Sequence, residues 1–200
     1  VPVGHPVQVG NIIEYNSLVM AAQVRSWGAT AARFPITPDV FEAIQGKVLE
    51  AARDHDLVLL NAGSSAGAED FSASVIASLG EVLVHGIAVR PGHPVILGMV
   101  YLEDRSVPII GVPGYPVSAA LTLEIFVAEL IATWVGARQP ESPQVKARLT
   151  RKVTSPAGDD DYLRVVVGRV GDAMLAAPLT RGAGVITSLV RADGLVVLPR

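Results

Sequence analysis

Apolar residues recur with two different periods along the first two thirds of the chain. Over residues 17–27 they fall at helical spacing and stop at Gly28, and Val40, Ile44, Val48, Leu49 and Ala52 draw a second helical stripe that runs to about Asp54. Ahead of that stripe, Thr37-Pro38-Asp39 combines a hydroxyl N-cap, a proline at the first helical position and an acid in the first turn, so the second helix is predicted to start there. Residues 29–34 read as a short strand. Residues 57–60 are apolar without alternation, the pattern of a strand covered on both faces. Further on, the periods predict a helix over 71–79, strands over 81–84, 95–102 and 107–112 with a turn at 103–106, and a long helix over 117–135. Strands alternating with helices predict an α/β fold: a three-layer α/β/α domain with a mainly parallel sheet, whose ligands would sit at the carboxyl ends of the strands.

The pattern changes at residues 137–143, Ala-Arg-Gln-Pro-Glu-Ser-Pro, where two prolines and polar residues follow the helix-ending Gly136 and read as a linker. Two domains are predicted, 1–140 and 141–200. Beyond residue 144 only strand-like runs are found, 145–153, 162–169, 174–178, 185–190 and 195–198, which fit a small C-terminal β-barrel. Gly182 and Gly184 lack the third glycine and following helix of a dinucleotide fingerprint and read as a place of close backbone packing.

Composition sharpens this picture at four points. Half of the 200 residues are hydrophobic and 18% are charged, and the mean hydropathy of +0.43 agrees with strands buried on both faces. A net charge of −3 gives no footprint for nucleic acid, and the cluster Lys146, Arg148, Arg151 and Lys152 reads as a solvated strand region. Without cysteine there is no disulfide, thiolate metal site or cysteine nucleophile, which is compatible with a reducing cytoplasm. The apolar run 117–135 is long enough to span a bilayer, but Glu124 and Glu129 within it predict a buried helix and no membrane partner. The chain opens at Val1 without an initiating methionine, which reads as a piece of a longer polypeptide.

Two loops carry the candidate chemistry. Ala62-Gly-Ser-Ser-Ala-Gly-Ala-Glu-Asp70 and Gly111-Val-Pro-Gly-Tyr-Pro-Val-Ser118 each follow an apolar strand-like run and precede a helix-like one. Such a junction aims unpaired backbone N–H groups and the positive end of a helix dipole at one point, and glycine lets a ligand approach the backbone, so both loops predict a phosphate or oxyanion site. Gly63-Ser-Ser-Ala-Gly67 also matches the nucleophile elbow of serine hydrolases with Ser65 as nucleophile. Against that, Gly67, Glu69 and Asp70 separate Ser65 from the helix, and His85 and His93 come too early for the late histidine such enzymes use. The four histidines form no zinc motif, and no glycine-rich loop leads into Lys-Ser/Thr, so a P-loop is excluded. Asp70 alone would read as an N-cap, and Arg90 and His93 as solvated charges in a rigid turn.

Four motifs in order, Gly10-Asn-Ile-Ile-Glu-Tyr-Asn-Ser17, Asn61-Ala-Gly-Ser-Ser-Ala-Gly-Ala-Glu-Asp70, Ala88-Val-Arg-Pro-Gly-His-Pro94 and Gly111-Val-Pro-Gly-Tyr-Pro-Val-Ser-Ala119, together resemble the molybdopterin molybdenumtransferase family of MoeA and the gephyrin E domain. Arg181 to Gly194 resembles that family's C-terminal β-barrel domain, and the spellings Gly-Tyr-Pro and Arg-Pro-Gly-His-Pro are most similar to a branch fused to a periplasmic-binding-protein-like domain. The resemblance implies insertion of molybdate into adenylylated molybdopterin with release of AMP, assisted by Mg²⁺, in the cytoplasm and as a homodimer. By motif it makes Asp70 and Glu14 the catalytic and metal-holding acids. Gly63, Ser64, Ser65, Gly67, Arg90, His93, Pro113, Gly114, Tyr115, Pro116 and Ser118 become the residues that hold molybdopterin and oxyanion. The family has aspartate at Glu14, lysine at Arg90 and often at His93, and asparagine at Tyr115. Those departures keep an alternative open, a non-catalytic module that binds molybdopterin or oxyanions.

Overall fold

A computed structural model describes residues 1–61, 71–138 and 143–200. Helix α1 (Asn16–Ser26) ends at Gly28, whose φ of +90° lies in the region that favours glycine. Helix α2 (Phe41–Asp54) begins later than Thr37-Pro38-Asp39 predicts: the extended Val40 is its N-cap, and no side chain caps it. Strand β1 (Val58–Asn61), helix α3 (Ser72–Leu79), strand β2 (Gly80–His85), a two-residue strand β3 (Val89–Arg90), β4 (Ile96–Tyr101) and β5 (Ser106–Val112) follow. The long helix comes in three joined pieces, α4 (Pro116–Thr122), a π-helical turn (Leu123–Val127) and α5 (Ala128–Trp134), with Pro116 in its first turn. It ends at Gly136, φ +66°, where the Ala137 amide folds back onto the Ala132 carbonyl at 2.9 Å.

The first sheet has the order β1-β5-β4-β2. Only β1 and β5 run parallel; β5–β4 and β4–β2 are antiparallel, so the sheet is mixed and the expectation of a mainly parallel sheet is corrected. The cause is the short turn at 102–105, closed by the Leu102 amide on the Arg105 carbonyl at 2.8 Å, which makes β4–β5 a hairpin where a helical crossover would be needed for parallel pairing. Helices do cover both faces. Along β5, Val107 and Ile109 join Val48 and Ala52 of α2 and Val75 and Ile76 of α3 in one core, while Ile110 and Val112 join Met20 and Val24 of α1 and Leu123, Val127 and Ile131 of the long helix in a second. The apolar run predicted as a buried helix thus packs on the sheet, with Leu123 and Val127 fully buried.

The second sheet is built on the long strand β7 (Asp160–Val170), which pairs antiparallel with β8 (Ala173–Pro178) and with β9 (Gly194–Leu198); the short β6 (Arg148–Leu149) adds to β8. The predicted barrel is met as a five-stranded sheet in which, among the described residues, β6 and β9 each have one neighbour. Two strand predictions fail here. Of residues 145–153 only Arg148–Leu149 pair, and the run 185–190, predicted as a strand, instead turns into helix α6 (Thr187–Arg191), with Ser188 buried and its hydroxyl on the Val185 carbonyl at 2.7 Å. Residues 29–34, also predicted as a strand, belong to no strand among the described residues. β3 crosses between the two parts: Val89 and Arg90 pair in parallel with Asp160 and Asp161, so the fifth strand of the second sheet comes from the N-terminal part of the chain.

Candidate functional site

The carboxyl ends of β1 and β5 lie side by side, with Asn61 opposite Val112. Asn16 in the first turn of α1 locks the loop that follows β5: its side-chain amide donates to the Gly114 carbonyl at 2.7 Å and to the Asn61 Oδ1 at 3.3 Å, and the residue is buried. This fixes the turn Pro113-Gly114-Tyr115-Pro116 at the start of α4. Pro113 and Ser118 are buried, Gly114 and Pro116 half-buried, and Tyr115 is exposed. The Tyr115 ring lies against Gly184, where an added Cβ would sit 3.6 Å from Cδ1, so the close packing predicted at the Gly182/Gly184 pair is the docking of the second sheet's loop onto the first site's turn. A backbone bond from the Val117 amide to the Ala183 carbonyl, 3.0 Å, reinforces it.

Beside that contact runs a cleft of about 410 Å³. One wall is the turn 90–94 with Ser118; the other is β7 and the segment 179–183. Arg90, Arg164 and Arg181 all line it, as do His93 and Asp161. The turn enters through a cis Arg90–Pro91 bond. Arg90 Nε donates to Asp159 Oδ2 at 2.6 Å, and His93 Nδ1 stands 3.9 Å from the other oxygen of the same carboxylate. Arg181 pairs with Asp161 Oδ2 at 3.3 Å, an oxygen that also accepts from the Ser155 hydroxyl at 3.2 Å. Arg164 is 4% exposed; its Nη2 donates to the Thr180 carbonyl at 2.9 Å, and its Nε has no partner. Burial pushes its guanidinium below the ordinary arginine value, against the opposing pull of the Asp161 carboxylate, but an arginine stays charged at any working pH. Three guanidiniums against two neighbouring carboxylates leave the cleft cationic, with donor capacity unspent.

The sequence-predicted residues divide accordingly. Arg90, His93 and Ser118 meet in this cleft, and Pro113, Gly114, Tyr115 and Pro116 form the adjoining turn. Glu14 is part of neither. Its two oxygens accept from the Ser17 amide at 2.8 Å and the Ser17 hydroxyl at 2.7 Å, which caps the first turn of α1, and Arg33 Nε reaches the same hydroxyl at 3.0 Å. Gly63, Ser64, Ser65, Gly67 and Asp70 lie outside the described residues. Arg164, Arg181, Asp159 and Asp161 were not singled out as site residues; the readable signal was Arg164, a charge in the middle of the apolar run Leu163–Val167.

Residues 1–133 match the family model described as "Probable molybdopterin binding domain", and residues 146–200 match "MoeA C-terminal region (domain IV)". The chain belongs to the MoeA-type molybdopterin molybdenumtransferase family. It is 32% identical over 173 residues to molybdopterin molybdenumtransferase 2 of Mycobacterium tuberculosis, covering 82% of this chain and 41% of that one. It is 28% identical over 199 residues to the molybdopterin molybdenumtransferase of Bacillus subtilis, 98% and 45%. The molybdopterin biosynthesis MoeA protein from Pyrococcus horikosii superposes over all of this chain and 47% of its own, with a TM-score of 0.80 at 32% identity. The chain therefore spans less than half the length of these relatives. Membership makes molybdenum cofactor biosynthesis its setting, and the cationic cleft lies where the two family-matched regions meet.

Proposed function

We propose that this chain forms the part of a molybdopterin molybdenumtransferase that holds adenylylated molybdopterin and molybdate while the metal enters the dithiolene and AMP leaves. The observation that carries this reading is the cleft between the two sheets, where Arg90, Arg164 and Arg181 converge beside the loop turn at Pro113–Pro116. Guanidinium forks bind tetrahedral oxyanions and phosphates bidentately, and a half-enclosed cleft strengthens each contact over its value in water. Arg164 lines the cleft as a buried charge whose side-chain bond goes to the neutral Thr180 carbonyl. Arg90 and Arg181 must share themselves with Asp159 and Asp161, so they suit a ligand that competes for charge, such as molybdate or the phosphates of an adenylate.

Mg²⁺ does not find a site among the described residues. They contain no cluster of three or more carboxylates or histidines, and the Glu14 carboxylate is taken up by Ser17. The metal assignment rests on Asp70, outside the described residues. Cytoplasmic location and a homodimer belong to the same proposal, by family membership.

The test is molybdate-dependent release of AMP from adenylylated molybdopterin by the full-length protein and its Arg181→Ala variant. Release that drops at least tenfold in the variant supports the reading. Tight binding of the nucleotide with no release would favour the non-catalytic binding module, which the exposed His93 and Tyr115 make the second reading.

A further inference from the structure

At the edge of the cationic cleft one carboxylate faces two side chains of the turn 90–94. Asp159, on the lead into β7, is the most covered of the three, with 15% of its side chain exposed against 54% for Arg90 and 68% for His93. Arg90 Nε holds its Oδ2 at 2.6 Å, while His93 Nδ1 stands 3.9 Å from its Oδ1, within ion-pair range but beyond a hydrogen bond. The backbone seats that imidazole: the Ile87 amide donates to the His93 carbonyl at 2.8 Å, and a Cβ added at Gly86, whose φ is +85°, would sit 3.8 Å from His93 Nε2. One ring nitrogen therefore lies over Gly86 and the other on the Asp159 side. The remaining charged groups of the cleft are Asp161 and Arg164 of β7 and Arg181 of the segment 179–183, and Asp161 is already paired with Arg181 at 3.3 Å. Helix α4 contributes the Ser118 hydroxyl and no charge, and Gly86 and Ile87 bring none. Of the described residues that line the cleft, His93 is the one histidine, the residue type that changes charge between about pH 5 and 8.

From this geometry we propose that oxyanion binding in the cleft takes up a proton at His93, and that the Asp159 carboxylate passes from Arg90 to His93 as the ligand enters. The inference rests on the reading of the cleft as an oxyanion site. An oxyanion that draws the Arg90 guanidinium to itself leaves a largely covered carboxylate without its counter-charge, which is costly. A neutral imidazole offers that carboxylate at most one uncharged donor, whereas imidazolium brings a positive charge and an N–H on each nitrogen, one of them facing Asp159. The proton comes from solvent and goes to the unprotonated ring nitrogen, and a small rotation of the exposed ring closes the 3.9 Å gap. Because the bound state then holds more protons than the free one, affinity rises as pH falls and declines as pH rises through the range in which histidine titrates. Arg90, Arg164 and Arg181 stay charged throughout that range, so the pH response belongs to His93.

Titration calorimetry with molybdate on the full-length protein, at about pH 8 and about pH 6 where molybdate itself remains a dianion, tests this. The parent should bind about fivefold more tightly at the lower pH, and titrations in two buffers of different protonation enthalpy should show proton uptake on binding. His93→Gln, neutral at both pH values, should keep the parent's weaker affinity at both; His93→Lys, charged at both, should keep the tighter one at both. Asp159→Asn leaves no carboxylate to pass on, so it should bind tightly already at the higher pH and change less than about twofold. A parent affinity that does not change with pH overturns the inference, as does a pH dependence that survives in His93→Gln. A dependence in Asp159→Asn as steep as the parent's overturns the transfer of the carboxylate. Absence of molybdate binding by the parent at both pH values overturns the oxyanion reading of the cleft itself, so the two failures are told apart.

Discussion

Arg90 Nε donates to Asp159 Oδ2 across 2.6 Å, joining the last residue of β3 to the residue that leads into β7. The pair sits directly on the seam, next to the parallel pairing of Val89 and Arg90 with Asp160 and Asp161 and the Asp160 amide on the Ala88 carbonyl at 2.9 Å. Arg90 is half exposed while Asp159 is largely covered, so the carboxylate is the fixed member and the guanidinium the one free to swing. An oxyanion entering the cleft competes with Asp159 for the same donor.

Asp159→Asn should therefore tighten oxyanion binding. Removing one negative charge beside Arg90 and His93 while keeping the side chain's size is worth about 1 kcal/mol for a pair this exposed, or about fivefold in affinity. Titration calorimetry with molybdate on parent and variant measures it; weaker binding in the variant would mean that Asp159 aims Arg90 at the ligand.

Arg164→Met should weaken molybdate binding at least tenfold and also lower the stability of the fold. The buried arginine contributes its charge to the cleft and its Nη2 to the Thr180 carbonyl, so the variant also leaves that carbonyl without its donor and takes one positive charge from beside the buried Asp161, which keeps Arg181 and Ser155 as partners. Calorimetry for the affinity and thermal unfolding for the fold separate the two effects.

How much of this was legible in the chain depended on how local each cause is. Helices α1, α3 and the long helix, and strands β1, β4, β5, β8 and β9, follow from periodicity because their apolar faces are what the two cores bury. The turn 113–116 was legible from its glycine and prolines. Sheet direction was misread although the turn at 103–106 was legible: a turn that short forces β4 and β5 antiparallel, and the general alternation of strands and helices was given more weight. The run 185–190 misled because four β-branched residues, Val185, Ile186, Thr187 and Val190, suit a strand, whereas the Ser188 hydroxyl and the loop at 182–184 wind it into α6. The cleft was half legible: Arg90 and His93 stand in a recognisable motif, but Arg164 and Arg181 become neighbours of it only when β3 pairs with β7.

Tyr101 gives a pH signature on the first sheet. Its hydroxyl donates to Glu81 Oε2 at 2.9 Å across the β2–β4 pair, and that bond, aided by partial burial and the Glu81 charge, raises the phenol above its ordinary value of 10.0. The bond exists only while the phenol is protonated, so its contribution is intact below pH 10 and is lost as pH rises through the raised value. Ultraviolet titration of the parent and of Glu81→Ala should show the Tyr101 ionisation move to lower pH in the variant; an unchanged titration would mean that Glu81 does not hold the phenol.

Asn16→Ala should cost about 1–3 kcal/mol of stability, because it leaves the Gly114 carbonyl and the Asn61 side chain without their buried donor. Urea unfolding measures the loss. The same variant should weaken ligand binding, since the turn that Asn16 holds forms one edge of the site, whereas a purely structural tie would leave the affinity of the folded fraction unchanged.

Two glycines should respond to the same substitution with opposite signs. Gly98 lies in β4, between β2 and β5, and a Cβ added there would stand 2.6 Å from the Glu81 carbonyl oxygen and 2.6 Å from Ile76 Cγ2, with Ile109 Cγ2 at 3.5 Å. Ile76 and Ile109 are fully buried, and a ladder carbonyl has nowhere to retreat, so Gly98→Ala forces α3 off the sheet or breaks the β2–β4 pairing. Overpacking of this kind costs about 1–3 kcal/mol, which for a chain of this size lowers the melting temperature by about 2–12 °C. Gly46 lies on the exposed side of α2 with nothing within 4 Å of an added Cβ, and its backbone is helical. There alanine restricts the unfolded chain and strains nothing, so Gly46→Ala should stabilise by about 0.5–1 kcal/mol and raise the melting temperature by about 1–4 °C. Thermal unfolding of the two variants side by side checks both signs; a stable Gly98→Ala would mean that α3 does not pack on β4 as closely as Ile76 and Gly98 place it.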